Sequence, residues 1–146
     1  MNTRRIKTKS DLKKAFYIRK EVFVKEQGVP LEDEFDEFDT LDGKCEHILV
    51  FHQEEAVGTG RLRVVAGQGK LERICILQPY RNLGLGKVII QTLEEIAKEL
   101  ELTRVKLHGQ TQAEGFYQKF GYQTASDIFI EDGIPHILMT KDLSIK

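Results

Sequence analysis

The segment LERICILQPYRNLGLGKVII, Leu71 to Ile90, constrains this chain more than any other. An apolar run is stopped by Pro79 and followed by a turn with glycines at 84 and 86. A helix then begins, in which Ile89, Leu93, Ile96 and Leu100 recur at i, i+4, i+7 and i+11. A strand that feeds such a helix through so short a turn has to lay the helix's one apolar face on a sheet. The glycines leave the backbone free to turn tightly, so consecutive amides at the helix N-terminus can point at the oxygens of an anion. Arg81 and Lys87 add positive charge there. A strand-to-helix turn that uses its glycines only for packing fits the same residues. Two other phosphate motifs fail: Val88 follows Lys87 where a P-loop needs Ser or Thr, and Ile89 stands where the dinucleotide fingerprint needs its third glycine.

The rest of the chain is consistent with one folded unit. Its 146 residues carry 22 basic and 23 acidic side chains, a net charge of −1, which argues against nucleic-acid and membrane-surface partners. With 40% hydrophobic residues and no linker-like stretch, a single domain spanning 1–146 is expected. The first twenty residues hold eight Lys or Arg and no apolar run, so neither a secretory signal nor a membrane span is expected, and the expected compartment is the cytoplasm. Cys45 and Cys75 are the only cysteines; two reduced thiols and no metal site are expected.

Local patterns give the element order. A strand is expected at 4–7, then a helix capped by Ser10 and ended by Gly28. From 29 to 42, seven carboxylates alternate with Leu31, Phe35, Phe38 and Leu41, which reads as a short acidic helix and loop on the surface. Strands follow at 46–52, 56–65 and 71–77, joined as hairpins through 53–55 and 67–69. After the amphipathic helix come a strand at 104–108, a short helix at 112–120 stopped by a left-handed Gly121, and strands at 128–131 and 136–140 joined through Asp132-Gly133. The order βααβββαβαββ implies an α/β (α+β) fold: a mixed, mostly antiparallel central sheet of about six or seven strands with helices on both faces.

These residues resemble a known family. Arg81-Asn82-Leu83-Gly84-Leu85-Gly86 is similar to the R/Q-x-x-G-x-G/A signature with which the GNAT superfamily of N-acetyltransferases grips the pyrophosphate of acetyl-coenzyme A. Gln110, Ala113, Phe116, Tyr117, Gly121 and Tyr122 resemble a second segment of that superfamily, N-x-x-A-x-x-F-Y-x-x-x-G-F, with Gln110 for the usual Asn and Tyr122 for the usual Phe. FVKEQGVP at 23–30, EHILV at 46–50 and EDGIPHILM at 131–139 resemble the ElaA-like and YjcF-like branch, small bacterial members. The likeness covers essentially the whole chain.

The resemblance implies a GNAT fold, with acetyl-coenzyme A as cosubstrate and a small-molecule or peptide amine as acceptor. In that family two parallel strands splay apart and the pantetheine arm lies between them, so backbone groups of Ile74, Cys75 and Ile76 would face it. The amide of Ile76 would hydrogen-bond the thioester carbonyl. Arg81 to Lys87, Gln110 and Tyr117 complete the expected cofactor set, and Tyr117 falls on the tyrosine that in many relatives protonates the departing thiolate. A tyrosine on that helix face is also an ordinary core residue. For the base, three residues compete: His136 after Pro135, His47 at the head of a strand, and Glu72 on the strand bordering the thioester; His52 and His108 carry no such support. Glu26 and Gln27 are the first acceptor-side candidates. The acidic stretch could draw a cationic amine, or merely be solvated, while Arg61, Arg63 and Arg73 would favour a carboxylate-bearing acceptor. Cys75 reads as an inert small hydrophobe. A noncatalytic acyl-coenzyme A binding module is the alternative from another class. Relatives often pair, so a homodimer is an expectation of the resemblance alone.

Overall fold

The computed structural model describes residues 2–144. The chain opens with strand β1 (Asn2–Arg5) and helix α1 (Lys9–Arg19). The cap of α1 is Thr8 and not Ser10: its hydroxyl accepts from the amide of Asp11 at 3.1 Å, and Ser10 falls inside the first turn. Helical winding continues past Arg19 as a π-helical segment, Lys20–Glu26, in which the amide of Gln27 reaches the carbonyl of Val22. Gly28, at φ +78°, ends it. A single turn, α2 (Leu31–Glu34), precedes three antiparallel strands, β2 (Glu46–His52), β3 (Glu55–Val65) and β4 (Gln68–Ile76). β4 begins earlier than its apolar run suggested because Ala66 and Gly67, both at positive φ, make the turn, and Gly69 already pairs with Val64.

Helix α3 (Leu85–Glu99) crosses over to β5 (Arg104–Gln110), which runs parallel to β4. Short helix α4 (Glu114–Gln118) leads to β6 (Gln123–Thr124), β7 (Phe129–Glu131) and β8 (Ile134–Asp142). The sheet is ordered β1-β2-β3-β4-β5-β8-β6, with β7 also on β8. Among the described residues every pairing except β4–β5 is antiparallel, and the two-residue β6 brings the strand number to eight.

Strand alternation splits the core between the two faces. Ile48 and Val50 join the cluster under α3 with Ile89, Leu93, Ile96, Val105 and Leu107, whereas Leu49 between them packs with Leu12, Ala15, Ile18 and Cys75 under α1. Ile89, Leu93 and Ile96 are almost wholly buried, each contributing roughly 1.5–3 kcal/mol of transfer energy. The segments that matter for function are those where this regular packing is interrupted.

Candidate active site

The interruption lies between β4 and β5. Their ladder holds only from Gly69 opposite Val105 to Leu71 opposite Leu107; beyond it the strands part. The cause is in β4. Thr59 of β3 faces Cys75 and Arg61 faces Glu72, so β4 carries an extra residue there, and Arg73 sits at φ +56°. Such a bulge bends its strand away from its neighbour. No sequence signal announced it, since arginine is not a residue that asks for positive φ.

The parting opens a cavity of about 580 Å³ that runs between β4, β5, the start of α3, α4 and the 22–29 segment. Along its β4 wall, backbone groups are left without a strand partner. Leu77 donates its amide to Val57 of β3. By the two-residue alternation of a strand, Cys75 therefore also turns its main chain toward β3, and Ile76 turns its own toward the cavity. Cys75 thus differs from the expectation for Ile74–Ile76: it keeps its backbone on β3 and its side chain in the α1 cluster. Burial pushes its thiol well above the ordinary range, as it pushes that of Cys45 up to about 12.

At one end of the cavity lies the glycine turn. Asn82 and Gly84 stand at φ +67° and +79°, and Gly84 is the residue that caps α3. Among the described residues no side chain caps that helix, so its first-turn amides stay available to an anion. Gly86 makes room for its neighbour: a Cβ there would come within 2.9 Å of the tip of the half-exposed Phe116 ring, which would have to shift. Asn82, Gly84, Leu85, Gly86 and Lys87 line the cavity, while Leu83 points outward and is half exposed. Arg81 also lines it, but its charge is already engaged. Both terminal nitrogens meet the Glu26 carboxylate at 2.7 Å, and Nε donates to the Ile76 carbonyl at 3.0 Å. Gln110 donates to Gln27 at 2.9 Å. The two acceptor-side candidates, Glu26 and Gln27, thereby clasp the cofactor-side candidates across the cleft.

Tyr117, also lining the cavity, stands on α4, its ring against Gly109 and edge-on to Phe116 and Tyr122. Among the described residues its hydroxyl has no hydrogen-bond partner, whereas that of Tyr122 donates to Glu94 at 2.7 Å. Burial, with the nearby Cys75, lifts Tyr117 to about 12, so it keeps its proton at neutral pH. His136 lines the far wall, its Nδ1 2.7 Å from the Ile134 carbonyl.

Other candidates are committed elsewhere. His47 does not line the cavity; its Nε2 bonds the Phe38 carbonyl at 3.0 Å, and burial lowers its affinity for a proton. Glu72 lines the cavity but cannot serve as a base: although burial opposes it, Arg63, Lys70 and Arg61 bring its carboxyl down to about 2. The acidic stretch is neither free nor merely solvated. Glu34 and Asp39 bind Arg19, Asp36 and Asp39 bind Arg61, and Arg73 reaches Glu34 at 3.1 Å. Arg61 is thus buried among carboxylates and unavailable to an acceptor. Asp36 is held far below the usual carboxylate range by Arg61, burial notwithstanding. Sequence reasoning also passed over His108, which lines the cavity with its Nδ1 2.8 Å from Glu131.

Residues 8–143 match the acetyltransferase (GNAT) domain family. The chain belongs to the GNAT acetyltransferases. YyaT of Bacillus subtilis is 62% identical over 99% of this chain and 97% of its own. The N-acetyltransferase YjcF of the same organism is 48% identical, over 93% and 96%. The crystal structure of Escherichia coli ElaA superposes with a TM-score of 0.85 at 28% identity, covering 97% of this chain and 100% of that one. The fold is thus that of the GNAT acetyltransferases, as the resemblance of the sequence implied.

Proposed function

We propose that this GNAT protein transfers an acetyl group from acetyl-coenzyme A to a primary amine, of a small molecule or a peptide, by direct attack with both substrates bound. One observation carries the reading: among the described residues, a single cavity connects a helix N-terminus without a side-chain cap, an unpaired strand edge and a tyrosine hydroxyl with no partner. The fit to acetyl-coenzyme A is chemical. Diphosphate oxygens suit the amides of the Gly84–Lys87 turn and the Lys87 ammonium, and an extended amide-bearing arm suits a strand edge that lacks a neighbour. The bound thioester supplies the acyl carbon.

The protein's own groups then divide the work. The Ile76 amide donates to the carbonyl oxygen, where charge builds up; one such bond contributes roughly 3–4 kcal/mol to a transition state. Tyr117 holds a proton for the departing sulfur. Cys75, with a raised pKa and its main chain on β3, takes no acyl group.

The test is thiol release from acetyl-coenzyme A across a panel of polyamines, amino acids, aminoglycosides and peptide N-termini. Acceptor-dependent turnover is expected with at least one class, and release no faster than without acceptor would overturn the reading. Tyr117→Phe should lower kcat about 100-fold with the coenzyme A Kd unchanged, because only the proton donor is lost.

A further inference from the structure

The reaction needs a group that takes the proton of the acceptor ammonium, and the structure narrows the choice. Among cavity carboxylates, Glu34 is tied to two arginines, Glu72 to three cations, and Asp132 sits in the tight turn between β7 and β8 at φ +53°. What remains is a cluster on the opposite wall, in which Glu131 of β7 lies between two imidazoles. Its Oε1 is 2.8 Å from Nδ1 of His108 on β5, and its Oε2 is 3.8 Å from Nε2 of His136 on β8. The Phe129 ring meets His108 edge-on and stacks on His136.

We propose that His108 is the catalytic base and Glu131 the positioning residue that holds it; this deepens the transferase reading above and rests on it. The two imidazoles are not equivalent. His136 has both ring nitrogens turned inward, Nδ1 to the Ile134 carbonyl and Nε2 toward Glu131, with 9% of its side chain exposed. His108 gives only Nδ1 to Glu131; Nε2 has no partner among the described residues, and 28% of the side chain is exposed. A carboxylate accepting from Nδ1 fixes the tautomer whose lone pair is on Nε2.

Position supports the same choice. Leu107 closes the β4–β5 ladder, so His108 is the first residue past the point where the strands part. Alternation puts it on the face of β5 opposite buried Val105 and Leu107, together with Gln110, which reaches Gln27. That face lies beneath the 22–29 segment.

The step balances as follows. Nε2 of His108 takes one proton from the ammonium, and Glu131 stabilises the resulting imidazolium. The amine nitrogen bonds to the acyl carbon, the C–S bond breaks, and the sulfur receives the Tyr117 proton. Tyr117 regains a proton from the newly acylated nitrogen, and His108 returns its own to solvent. Of the titratable and charged groups that share the cavity with His108, Glu131 comes from β7, Asp132 from the turn after it, His136 from β8, Tyr117 from α4, Lys70, Glu72, Arg73 and Cys75 from β4, Glu34 from α2, and Arg81 and Lys87 from the glycine turn and the start of α3.

Two readouts test this. Nitrogen-15 spectra of the labelled protein, assigned with His108→Gln, should show His108 protonated on Nδ1, and Glu131→Gln should weaken that preference. Thiol release with the amine panel should show kcat for His108→Gln falling about 100-fold near neutrality. That deficit should close about tenfold per pH unit as the free amine replaces the ammonium, with the coenzyme A Kd unchanged. Glu131→Gln should follow in the same direction with a smaller loss. An Nε2-protonated His108 overturns the proposal. So does an active enzyme whose His108→Gln variant keeps the wild-type pH profile, or one in which His136→Gln alone shows the pH-dependent loss. A silent panel with wild type overturns the transferase reading itself, a result distinct from the other three.

Discussion

The two walls of the cavity treat charge in opposite ways. Behind β3 and β4, Arg19, Arg61, Glu34, Asp36, Asp39 and Glu72 are bound to one another by hydrogen-bonded ion pairs, and Arg19, Arg61 and Glu34 are almost fully buried. At the start of α3 the first-turn amides have no side-chain cap, and among the described residues the Tyr117 hydroxyl and Nε2 of His108 stand without partners. A charge whose every bond is filled from within the chain holds the fold; a polar group with capacity left over is available to a ligand. The contrast explains why seven carboxylates in sequence do not make a cation site. At least three of them are spent on arginines.

Variants should therefore separate cleanly into those that move stability and those that move binding. The largest effect is expected from Arg19→Ala, which strips Glu34 and Asp39 of a buried partner and should cost about 3–5 kcal/mol in urea unfolding. If Arg19→Ala unfolds at the wild-type urea midpoint, the network is not structural. Next is acid sensitivity. Glu72 is ionised in the fold down to about pH 2 against an ordinary value of 4.5, so its contribution is complete above 4.5 and lost as the pH falls toward 2. The stability gap between wild type and Glu72→Gln should accordingly close over that window, and a constant gap would mean that the carboxylate's charge contributes nothing.

On the binding side, Lys87→Glu should weaken coenzyme A by about tenfold, in a salt-dependent way, with the urea midpoint unchanged. Arg81→Gln should do less, because Glu26 already neutralises the guanidinium; calorimetry that ranks them the other way would place the diphosphate nearer Arg81. The smallest effect belongs to Thr8→Ala, the loss of a helix cap, at about 1 kcal/mol of stability and nothing in coenzyme A affinity.

How much of this the sequence revealed depends on the distance over which each feature is encoded. Helix α3, the glycine turn before it and the left-handed Gly121 are written in contiguous residues, where periodicity and backbone freedom act locally. The Ser10 cap was misplaced by two positions because Thr8 and Ser10 have equal claims until the chain's entry angle is known. His47, Glu72 and Arg61 are each chemically able in sequence; only their partners, up to 25 positions away, take His47 and Arg61 out of the site and Glu72 out of the role of base. His108 was set aside for the converse reason, its carboxylate being 23 residues on. The alternation of Lys106, His108 and Gln110 against Val105 and Leu107 was the one signal that could have retained it.

By itself the sequence determined the family, the order of the main elements and the glycine turn before α3, since these rest on local backbone preferences and short motifs. Tertiary structure decided where β4 leaves β5, which charges cancel and which imidazole stays open. Those outcomes depend on a bulge at an unremarkable arginine and on pairings between distant segments, and burial fixes their energies only when the chain has closed upon itself.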